Sequence, residues 1–283
     1  MITKIGIIGA GTMGGGIASC SALNGFDTYV YDVNSKIGDS FKVNIIKGYS
    51  KLVEKNKIDE TKKKNAESKI SFFNDINELK DCELIIEAAF EDINLKKELY
   101  SKLDEITSPE TILATNTSSF SITSVASAVK NNNSRVIGMH FFNPANIMKL
   151  VEIVVGEFTS EEVKNTVIEV AKKLGKTPVV CKDTPAFIVN RVARPFYGEA
   201  LKILGEGGID VSAIDNIMKS EGGFAMGPFE LMDLIGIDVN FSVTKSVYEA
   251  FFYDQKYKPH PVQQKMVEAG MLGRKTKQGF YKY

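Results

Sequence analysis

The sequence lacks several features that mark particular classes of protein. Its 283 residues include 35 Lys and Arg and 35 Asp and Glu, so no net basic charge attracts nucleic acid or an anionic membrane. No apolar run approaches the roughly 18 residues of a membrane span, and glycines interrupt the first apolar run, unlike a signal peptide. We therefore expect a cytoplasmic protein that binds neither nucleic acid nor membranes.

Cysteine and histidine are also scarce. Cys20, Cys82 and Cys181 are odd in number and far apart, and they match neither a metal-binding spacing nor a disulfide framework. We interpret them as buried thiols in a reducing compartment, and we expect no metal site. Only His140 and His260 could supply an imidazole for acid–base chemistry.

Over the first two thirds of the chain, short apolar runs alternate with amphipathic stretches, which predicts a mainly parallel, doubly wound α/β sheet. The predicted strands are Lys4–Ile8, Thr28–Asp32, Leu84–Ala88, Thr111–Thr115, Val136–His140, Lys149–Val155 and Thr177–Cys181. The predicted helices between them are Thr12–Asn24, Ser35–Lys55, Leu95–Ile106 and Ser160–Leu174. Thr159 and Glu162 predict a capping box at the start of the last of these helices.

The pattern changes near Asp183, where Thr184 and Pro185 predict an N-cap followed by proline at the first position of a helix. Beyond this point we find almost only helical patterns, at Ala186–Leu204, Val211–Lys219, Asp238–Phe252 and Val262–Ala269. We therefore predict two domains, an α/β domain at residues 1–184 and a smaller all-helical domain at residues 185–283.

A glycine-rich turn follows the first predicted strand and opens the first predicted helix. Its sequence is Gly9-Ala10-Gly11-Thr12-Met13-Gly14, and the second predicted strand ends at Asp32. The glycines allow a tight turn, close approach of the backbone to a pyrophosphate, and close helix–strand packing, while the helix N-terminus favours the phosphates. An ordinary turn with a surface aspartate is the alternative, but the strand–turn–helix context favours a dinucleotide site.

Asp32 also bears on the choice of cofactor. Its carboxylate would accept a hydrogen bond from a ribose 2′-hydroxyl and would repel a 2′-phosphate. A site for that phosphate normally has a nearby arginine, but the first arginine of the chain is Arg135, and only Lys36 is close in sequence. The sequence therefore favours NAD over NADP.

Candidate catalytic residues are polar side chains at unusual positions in the predicted strands and helices. His140 ends a predicted parallel strand, and ligands of such sheets bind beyond the carboxyl ends of the strands, whereas His260 lies between two prolines in a predicted loop. Ser118 follows another strand of the sheet. Glu152 interrupts an apolar run, where burial without a partner would be costly, and Asn190 lies in a predicted helix interior, where asparagine is disfavoured.

Each of these residues also has a simpler interpretation: a structural histidine, a turn serine, a glutamate at the surface edge and a packing asparagine. Together they supply a base, a carboxylate to orient it and polar donors at one edge of the sheet. This combination indicates an acid–base site beside a nicotinamide.

Seven stretches occur in an order that resembles the 3-hydroxyacyl-CoA dehydrogenase family, most of all its free-standing, short-chain bacterial members. They are Gly9–Gly14, Glu87–Glu91, Asn116–Ser119, His140–Pro144, Asp183–Arg191, Met226–Leu231 and Gly273–Thr276. The resemblance implies a Rossmann-type NAD-binding domain, a helical substrate and dimerisation domain, and a homodimer. It also implies interconversion of a short-chain 3-hydroxyacyl-CoA, such as 3-hydroxybutyryl-CoA, with the 3-oxoacyl-CoA.

The resemblance further implies roles for individual residues. His140 matches the general acid and base, Glu152 the carboxylate that assists it, and Ser118 and Asn190 the polar contacts to the substrate. The residues that match positions along the dinucleotide are Glu91, Lys96, Asn116, Ser118, Asn143 and Lys275.

Lys51 and Lys55 match lysines near the phosphates of coenzyme A in the family. With Lys47 they recur every four residues, which places them on one face of a predicted helix. A solvated lysine face is the alternative interpretation.

Three features depart from the family pattern. Asn146 stands where proline is usual, Ala186 where glycine is usual, and Asn131–Asn133 adds a residue, which leaves Ser119 as an alternative to Ser118. Two other functions also remain open. One is a non-catalytic NAD-binding protein, like the lens crystallin that resembles this family, and the other is a dehydrogenase of a 3-hydroxy acid without CoA.

Overall fold

The computed structural model describes residues 2–283. The chain divides after Thr184 into two compact units. Within the described residues, no helix is long and apolar enough to cross a membrane.

The N-terminal unit is built on one eight-stranded sheet. Its strands are β1 Lys4–Ile8, β2 Asp27–Tyr31, β3 Ile70–Phe73, β4 Leu84–Glu87, β5 Ile112–Thr115, β6 Val136–Phe141, β7 Leu150–Val155 and β8 Thr177–Lys182. They lie in the order β3-β2-β1-β4-β5-β6-β7-β8, and only the β6–β7 pair is antiparallel. The predicted mainly parallel, doubly wound sheet is confirmed.

Helices connect these strands and cover the sheet. They are α1 Thr12–Leu23, α2 Ile37–Glu54, α3 Glu60–Ser68, α4 Ile93–Ile106, α5 Ile122–Ala126 and α6 Glu161–Lys173, with short 3-10 turns at Ile76–Leu79 and Asn133–Arg135. The central strands are buried along their whole length because both faces of the sheet are covered, and they are apolar except at Glu87, Thr115 and His140 near their carboxyl ends. Ile5 and Ile7 of β1, for example, are wholly buried in the core that also includes Ile17 of α1 and Val167 of α6.

Three elements of this unit were not predicted from the sequence. The helix α3 is polar on most of its surface, with Ala66 as its one buried residue, so it carries no hydrophobic periodicity. The edge strand β3 has only four residues, and α5 has five. The predicted cap of α6 was also wrong, because Ser160 is the N-cap and accepts from the Val163 N–H, whereas the Thr159 hydroxyl donates to a backbone carbonyl.

The C-terminal unit is helical. Its helices are α7 Val189–Glu206, α8 Val211–Ser220, α9 Pro228–Ile235, α10 Ile237–Ala250 and α11 Pro261–Glu268, with 3-10 turns at Gln255–Tyr257 and Arg274–Thr276. Apolar residues of α7, α8 and α9, among them Leu201, Ile214 and Phe229, form its core. The helical nature of this part of the chain is confirmed, although α9 was not predicted.

The first helix of this unit begins later than predicted. Ala186 and Phe187 have φ angles of +65° and +52°, left-handed values that a right-handed helix cannot include. The helix therefore starts at Val189, and Pro185 is not its first residue. Asn190 accordingly lies in the first turn, so the argument that it occupies a costly helix-interior position was wrong.

Candidate active site

The imidazole of His140 is held by the carboxylate of Glu152. The antiparallel pairing of β6 with β7 places these residues directly opposite each other in register. The Nδ1 atom of His140 lies 2.7 Å from Oε2 of Glu152, and Glu152 is 0% exposed. Next to a carboxylate, Nδ1 carries a proton, so proton exchange with a ligand falls to Nε2. His140 is the next-to-last residue of β6, two residues beyond the part of that strand that pairs in parallel with β5, which places it at the carboxyl edge of the sheet.

Polar groups follow the neighbouring strand β5 at the same edge. The Oδ1 atom of Asn116 accepts a hydrogen bond of 2.9 Å from the Phe141 N–H and so joins the end of β5 to the end of β6. The Ser119 hydroxyl donates to Glu91 at 3.0 Å. The Ser118 hydroxyl, in contrast, forms no hydrogen bond within residues 2–283, and only the Ser118 N–H donates to Glu91. Of the two serines, Ser118 therefore has the hydroxyl that a ligand can engage.

Behind this turn lies a buried charge network, of which Glu91 and Lys96 were predicted as site residues and Glu87 was not. The ammonium of Lys96 lies 2.6 Å from Oε1 of Glu87 and 3.2 Å from Oε2 of Glu91, and Lys96 and Glu87 are buried. The second oxygen of Glu87 accepts from the Thr115 hydroxyl at 2.7 Å. Glu87 is an acid at the end of an apolar strand, the same kind of signal in the sequence that indicated a partner for Glu152.

The network keeps Glu91 ionised although its side chain is partly withdrawn from water, with 36% of it exposed. Burial alone would raise the pKa of the Glu91 carboxyl, but the charge of Lys96 and hydrogen bonds from Thr117, Ser118 and Ser119 outweigh it and lower the pKa. Glu91 therefore carries a negative charge at neutral pH and anchors the turn that presents Ser118.

The glycine-rich turn has the shape that a dinucleotide requires. A Cβ atom on Gly14 would lie 1.8 Å from the Gly9 carbonyl oxygen, so only glycine allows this close packing, whereas a Cβ on Gly11 would meet nothing within 4 Å. No side chain caps the N-terminus of α1. The first N–H groups of α1, at Thr12 and Met13, are therefore left to a ligand, and the helix dipole favours an anion there.

Asp32 lies beside this turn, where a ribose acceptor is expected. Its Oδ2 accepts from the Ala10 N–H at 2.8 Å and its Oδ1 from the Asn34 N–H at 2.9 Å. Each carboxylate oxygen has a further lone pair for a ribose hydroxyl. The residues present therefore fit NAD.

A cavity of about 420 Å³ opens at the N-terminal end of α1. It is lined by residues of the glycine-rich turn and α1, by Pro144–Asn146, and by Phe41, Asn44, Ile45 and Gly48 of α2. Lys51 and Lys55 are exposed and continue the same face of α2 past Gly48, although Lys55 falls one position beyond the last helical residue. The two lysines thus lie on the same side of α2, beyond the residues that line the cavity.

Other predicted site residues lie elsewhere in the chain. Asn143 is exposed in the turn after β6, where the Asn143–Pro144 peptide bond is cis. Asn190 and Lys275 belong to the C-terminal unit, in which both carboxylate oxygens of Asp238 lie 2.6 Å from the Lys275 ammonium. His260 is the N-cap of α11 and accepts from the Val262 N–H at 3.3 Å.

Both units match models of one protein family. Residues 4–184 match the NAD-binding domain of 3-hydroxyacyl-CoA dehydrogenase, and residues 187–283 match its C-terminal domain. The chain belongs to the 3-hydroxyacyl-CoA dehydrogenase family. It is an oxidoreductase of that family, and its cofactor is NAD.

Individual relatives agree with this assignment along the whole chain. The 3-hydroxybutyryl-CoA dehydrogenase of Clostridioides difficile is 44% identical over 280 residues, which are 99% of this chain and 99% of the relative. The crystal structure of an (S)-3-hydroxybutyryl-CoA dehydrogenase from Ralstonia eutropha has a TM-score of 0.96 at 38% identity and covers 100% of this chain and 99% of its own. A 3-hydroxybutyryl-CoA dehydrogenase structure from Escherichia coli has a TM-score of 0.98 at 42% identity. The match covers all of this chain but only 60% of that longer chain.

Proposed function

We propose that this protein interconverts a short-chain 3-hydroxyacyl-CoA and the corresponding 3-oxoacyl-CoA, with 3-hydroxybutyryl-CoA and acetoacetyl-CoA as the preferred pair. The observation that carries this proposal is the buried His140–Glu152 pair, with a Nδ1–Oε2 distance of 2.7 Å, at the carboxyl edge of an NAD-binding sheet. The names of relatives that match the chain over nearly its full length supply the substrate.

In this proposal His140 moves the proton of the reaction. In the oxidative direction its Nε2 accepts the proton of the 3-hydroxyl, and in the reductive direction the imidazolium returns it. A bound nicotinamide would supply the redox chemistry at C3 of the substrate, as hydride acceptor in the form of NAD⁺ and as hydride donor in the form of NADH. Glu152 keeps the imidazole in one tautomer and stabilises its cationic form. Ser118 and Asn190 position the substrate oxygens.

The cofactor contacts are proposed from the geometry and the family resemblance together. The backbone of Gly9–Gly14 would hold the pyrophosphate through Gly11, Thr12 and Met13, and Asp32 would hold the adenosine ribose. The remaining residues proposed to line the dinucleotide are Glu91, Lys96, Asn116, Ser118, Asn143 and Lys275. Support for this set comes from the network that joins Glu91, Lys96 and the turn at Ser118.

The coenzyme A moiety is proposed to follow α2. The cavity of about 420 Å³ between α1 and α2 provides space for a ligand. Lys51 and Lys55 lie on the same side of α2 beyond it, so their ammonium groups would meet the phosphates at the far end of an extended thioester. A free 3-hydroxy acid has no group to reach them.

Domain roles, assembly and location are also proposals. We infer that residues 1–184 bind NAD, that residues 185–283 complete the substrate site and form a homodimer, and that the enzyme works in the cytoplasm. These inferences rest on the family resemblance. Size-exclusion chromatography with light scattering tests the dimer.

The proposal is tested by following NADH absorbance with acetoacetyl-CoA and, separately, with free acetoacetate. We expect turnover of the thioester and little or none of the free acid. In the variant His140→Gln, kcat should fall by about a hundredfold or more, the usual size of a general acid–base contribution, with NADH affinity unchanged.

Each alternative predicts a different result. Turnover of free acetoacetate at a similar kcat/KM would favour a dehydrogenase that does not require CoA. NADH binding without turnover of either compound would indicate a non-catalytic NAD-binding protein. Near-normal kcat in His140→Gln would remove His140 from the mechanism while leaving the substrate assignment in place.

A further inference from the structure

Side chains hold the backbone of the segment that carries Ser118. This segment, residues 117–124, leads from β5 into α5. Side-chain oxygens of Glu91, Thr117, Ser121 and Asp183 accept the backbone N–H groups of Ser118, Ser119, Phe120, Ile122, Thr123 and Ser124. The helix α5 has only five residues, too few for its internal hydrogen bonds to hold it in place. The conformation of the segment therefore depends on these four side chains.

Two carboxylates hold the two ends of this segment. Glu91, after β4, accepts from the Ser118 N–H and from the Ser119 hydroxyl, at 3.0 Å each. Asp183, directly after β8, accepts at the other end, where α5 begins. Hydrogen bonds to a charged acceptor are about twice as strong as those between neutral groups, so both carboxylates are strong anchors.

Asp183 accepts four hydrogen bonds from three consecutive residues. Its Oδ2 accepts from the hydroxyls of Ser121 and Thr123 at 2.7 Å each and from the Thr123 N–H at 2.8 Å. Its Oδ1 accepts from the Ile122 N–H at 3.0 Å. The Asp183 N–H in turn donates to the Val155 carbonyl of β7 at 3.1 Å. Asp183 thus ties the start of α5 to the sheet.

We propose that Asp183 is a positioning residue for the reaction, which sets the place of the Ser118 hydroxyl through the segment that it anchors. Only three residues separate Ser118 from Ile122, so a shift of the start of α5 displaces Ser118 as well. This role rests on the dehydrogenase activity proposed above, in which the Ser118 hydroxyl positions a substrate oxygen. Asp183 itself acts on the substrate only through Ser118.

The kinetic test is a double-mutant cycle between Asp183→Asn and Ser118→Ala. Asparagine keeps the size of the side chain, but its NH2 group cannot accept from the N–H and O–H donors that the carboxylate binds. With acetoacetyl-CoA and NADH, we expect Asp183→Asn to lower kcat by about tenfold, since a misplacement of about 1 Å can cost about a hundredfold. In the Ser118→Ala background the same change should lower kcat by less than about twofold, because the hydroxyl that Asp183 positions is gone. A similar loss in both backgrounds, or no loss in the wild-type background, would overturn the proposal.

Asp59→Asn is the matched control. Asp59 also accepts at the start of a short helix, α3, from the Lys62 N–H at 2.6 Å. This helix leads into the edge strand β3, which β2, β1 and β4 separate from β5. Asp59→Asn should therefore leave kcat unchanged in both backgrounds.

Hydrogen exchange tests the same role without turnover. In Asp183→Asn the amide of Ser118 should exchange at least about tenfold faster than in the wild type, although its own acceptor, Glu91, is retained. Mass spectrometry with electron-transfer fragmentation resolves this amide, and Asp59→Asn should leave its exchange unchanged. An unchanged rate at Ser118 in Asp183→Asn would overturn the proposal.

The two measurements also separate this proposal from the proposed function. A wild type that does not turn over acetoacetyl-CoA would refute the dehydrogenase activity, and the exchange rate at Ser118 would still decide whether Asp183 holds this segment. If Asp183→Asn fails to fold, Thr123→Val takes its place, because it removes one donor to Asp183 and keeps the shape of the side chain. Its effects on kcat and on exchange at Ser118 should be smaller but of the same kind, and their absence would overturn the proposal.

Discussion

Replacing Lys51 and Lys55 by alanine together should raise the KM for acetoacetyl-CoA while leaving kcat nearly unchanged. Both lysines are exposed on the side of α2 that lines the cavity between α1 and α2, beyond the lining residues. The phosphates of coenzyme A are remote from C3, so the lysines would stabilise the bound substrate and the transition state equally. Such uniform binding changes KM and not kcat.

The expected size follows from the exposure of the two ammonium groups. An exposed ion pair contributes about 0.2–1 kcal/mol, so two of them contribute about 0.4–2 kcal/mol. This corresponds to an increase in KM of about 2-fold to 30-fold. The increase should shrink as salt is raised from low ionic strength to 0.1 M and beyond, because the screening length there is only about 10 Å.

The assay follows NADH oxidation with acetoacetyl-CoA and with acetoacetyl-N-acetylcysteamine, a thioester that lacks the nucleotide. Only the CoA thioester should show the rise in KM. Lys42→Ala is the matched control, since Lys42 is an exposed lysine of the same helix about 180° around it from Lys51. An equal loss with both thioesters would mean that the double variant disturbs the fold. No loss with either would mean that these lysines form a solvated helix face.

Two further predictions concern the glycine-rich turn and a buried ion pair. Gly11→Ala should fold normally, because its Cβ meets no protein atom within 4 Å. It should weaken NADH binding in a fluorescence titration, because the added Cβ would stand where the backbone approaches the pyrophosphate. Gly14→Ala should lower Tm, because its Cβ would lie 1.8 Å from the Gly9 carbonyl oxygen, and equal Tm values for the two variants would contradict this contrast. Asp104→Ala should lower the free energy of unfolding in urea by about 3–5 kcal/mol. In the wild type the buried guanidinium of Arg135 lies 2.7 Å from Asp104, and the variant leaves it without its counter-charge. Adding Arg135→Met should recover much of that loss, and a double variant as unstable as the single one would refute the explanation.

Much of the sheet could be predicted from the sequence because its central strands are continuous apolar runs between turn residues. The elements that were missed lack that signal. The helix α3 is polar on most of its surface and buries Ala66 alone, although Asp59 caps it by accepting from the Lys62 N–H at 2.6 Å. The strand β3 pairs only with β2 and has just four residues.

Helix boundaries were less predictable for a different physical reason. At the start of α6, Thr159 and Ser160 are adjacent hydroxyl residues, and either could serve as the N-cap on propensity alone. The tertiary structure decides between them, because the Thr159 hydroxyl donates to the Val136 carbonyl and leaves the cap to Ser160. Before α7, the left-handed conformation of Ala186 could not be predicted, since alanine itself does not favour it.

The candidate site was predictable where a charged residue interrupts an otherwise apolar strand. Glu152 is a carboxylate within an apolar run, and the expectation that it needs a partner led to His140, which lies opposite it on β6 at 2.7 Å. Glu87 carries the same signal at the end of β4, and it is likewise wholly buried, with Lys96 as its partner at 2.6 Å.

Burying two carboxylates at one edge of the sheet does not favour the stability of the fold. A buried ion pair seldom stabilises a fold more than apolar side chains of the same volume would, so stability does not explain why both positions hold acids. Each acid fixes one basic group: Glu152 holds the His140 imidazole, and Glu87 holds the Lys96 ammonium, which in turn reaches Glu91 at 3.2 Å. Both acid–base pairs lie at the same edge of the sheet. The two basic groups belong to the residues that we propose for proton transfer and NAD binding. A charged residue inside an apolar strand is therefore most informative at the carboxyl edge of the parallel strands, which the antiparallel strand β7 reaches with its amino-terminal half.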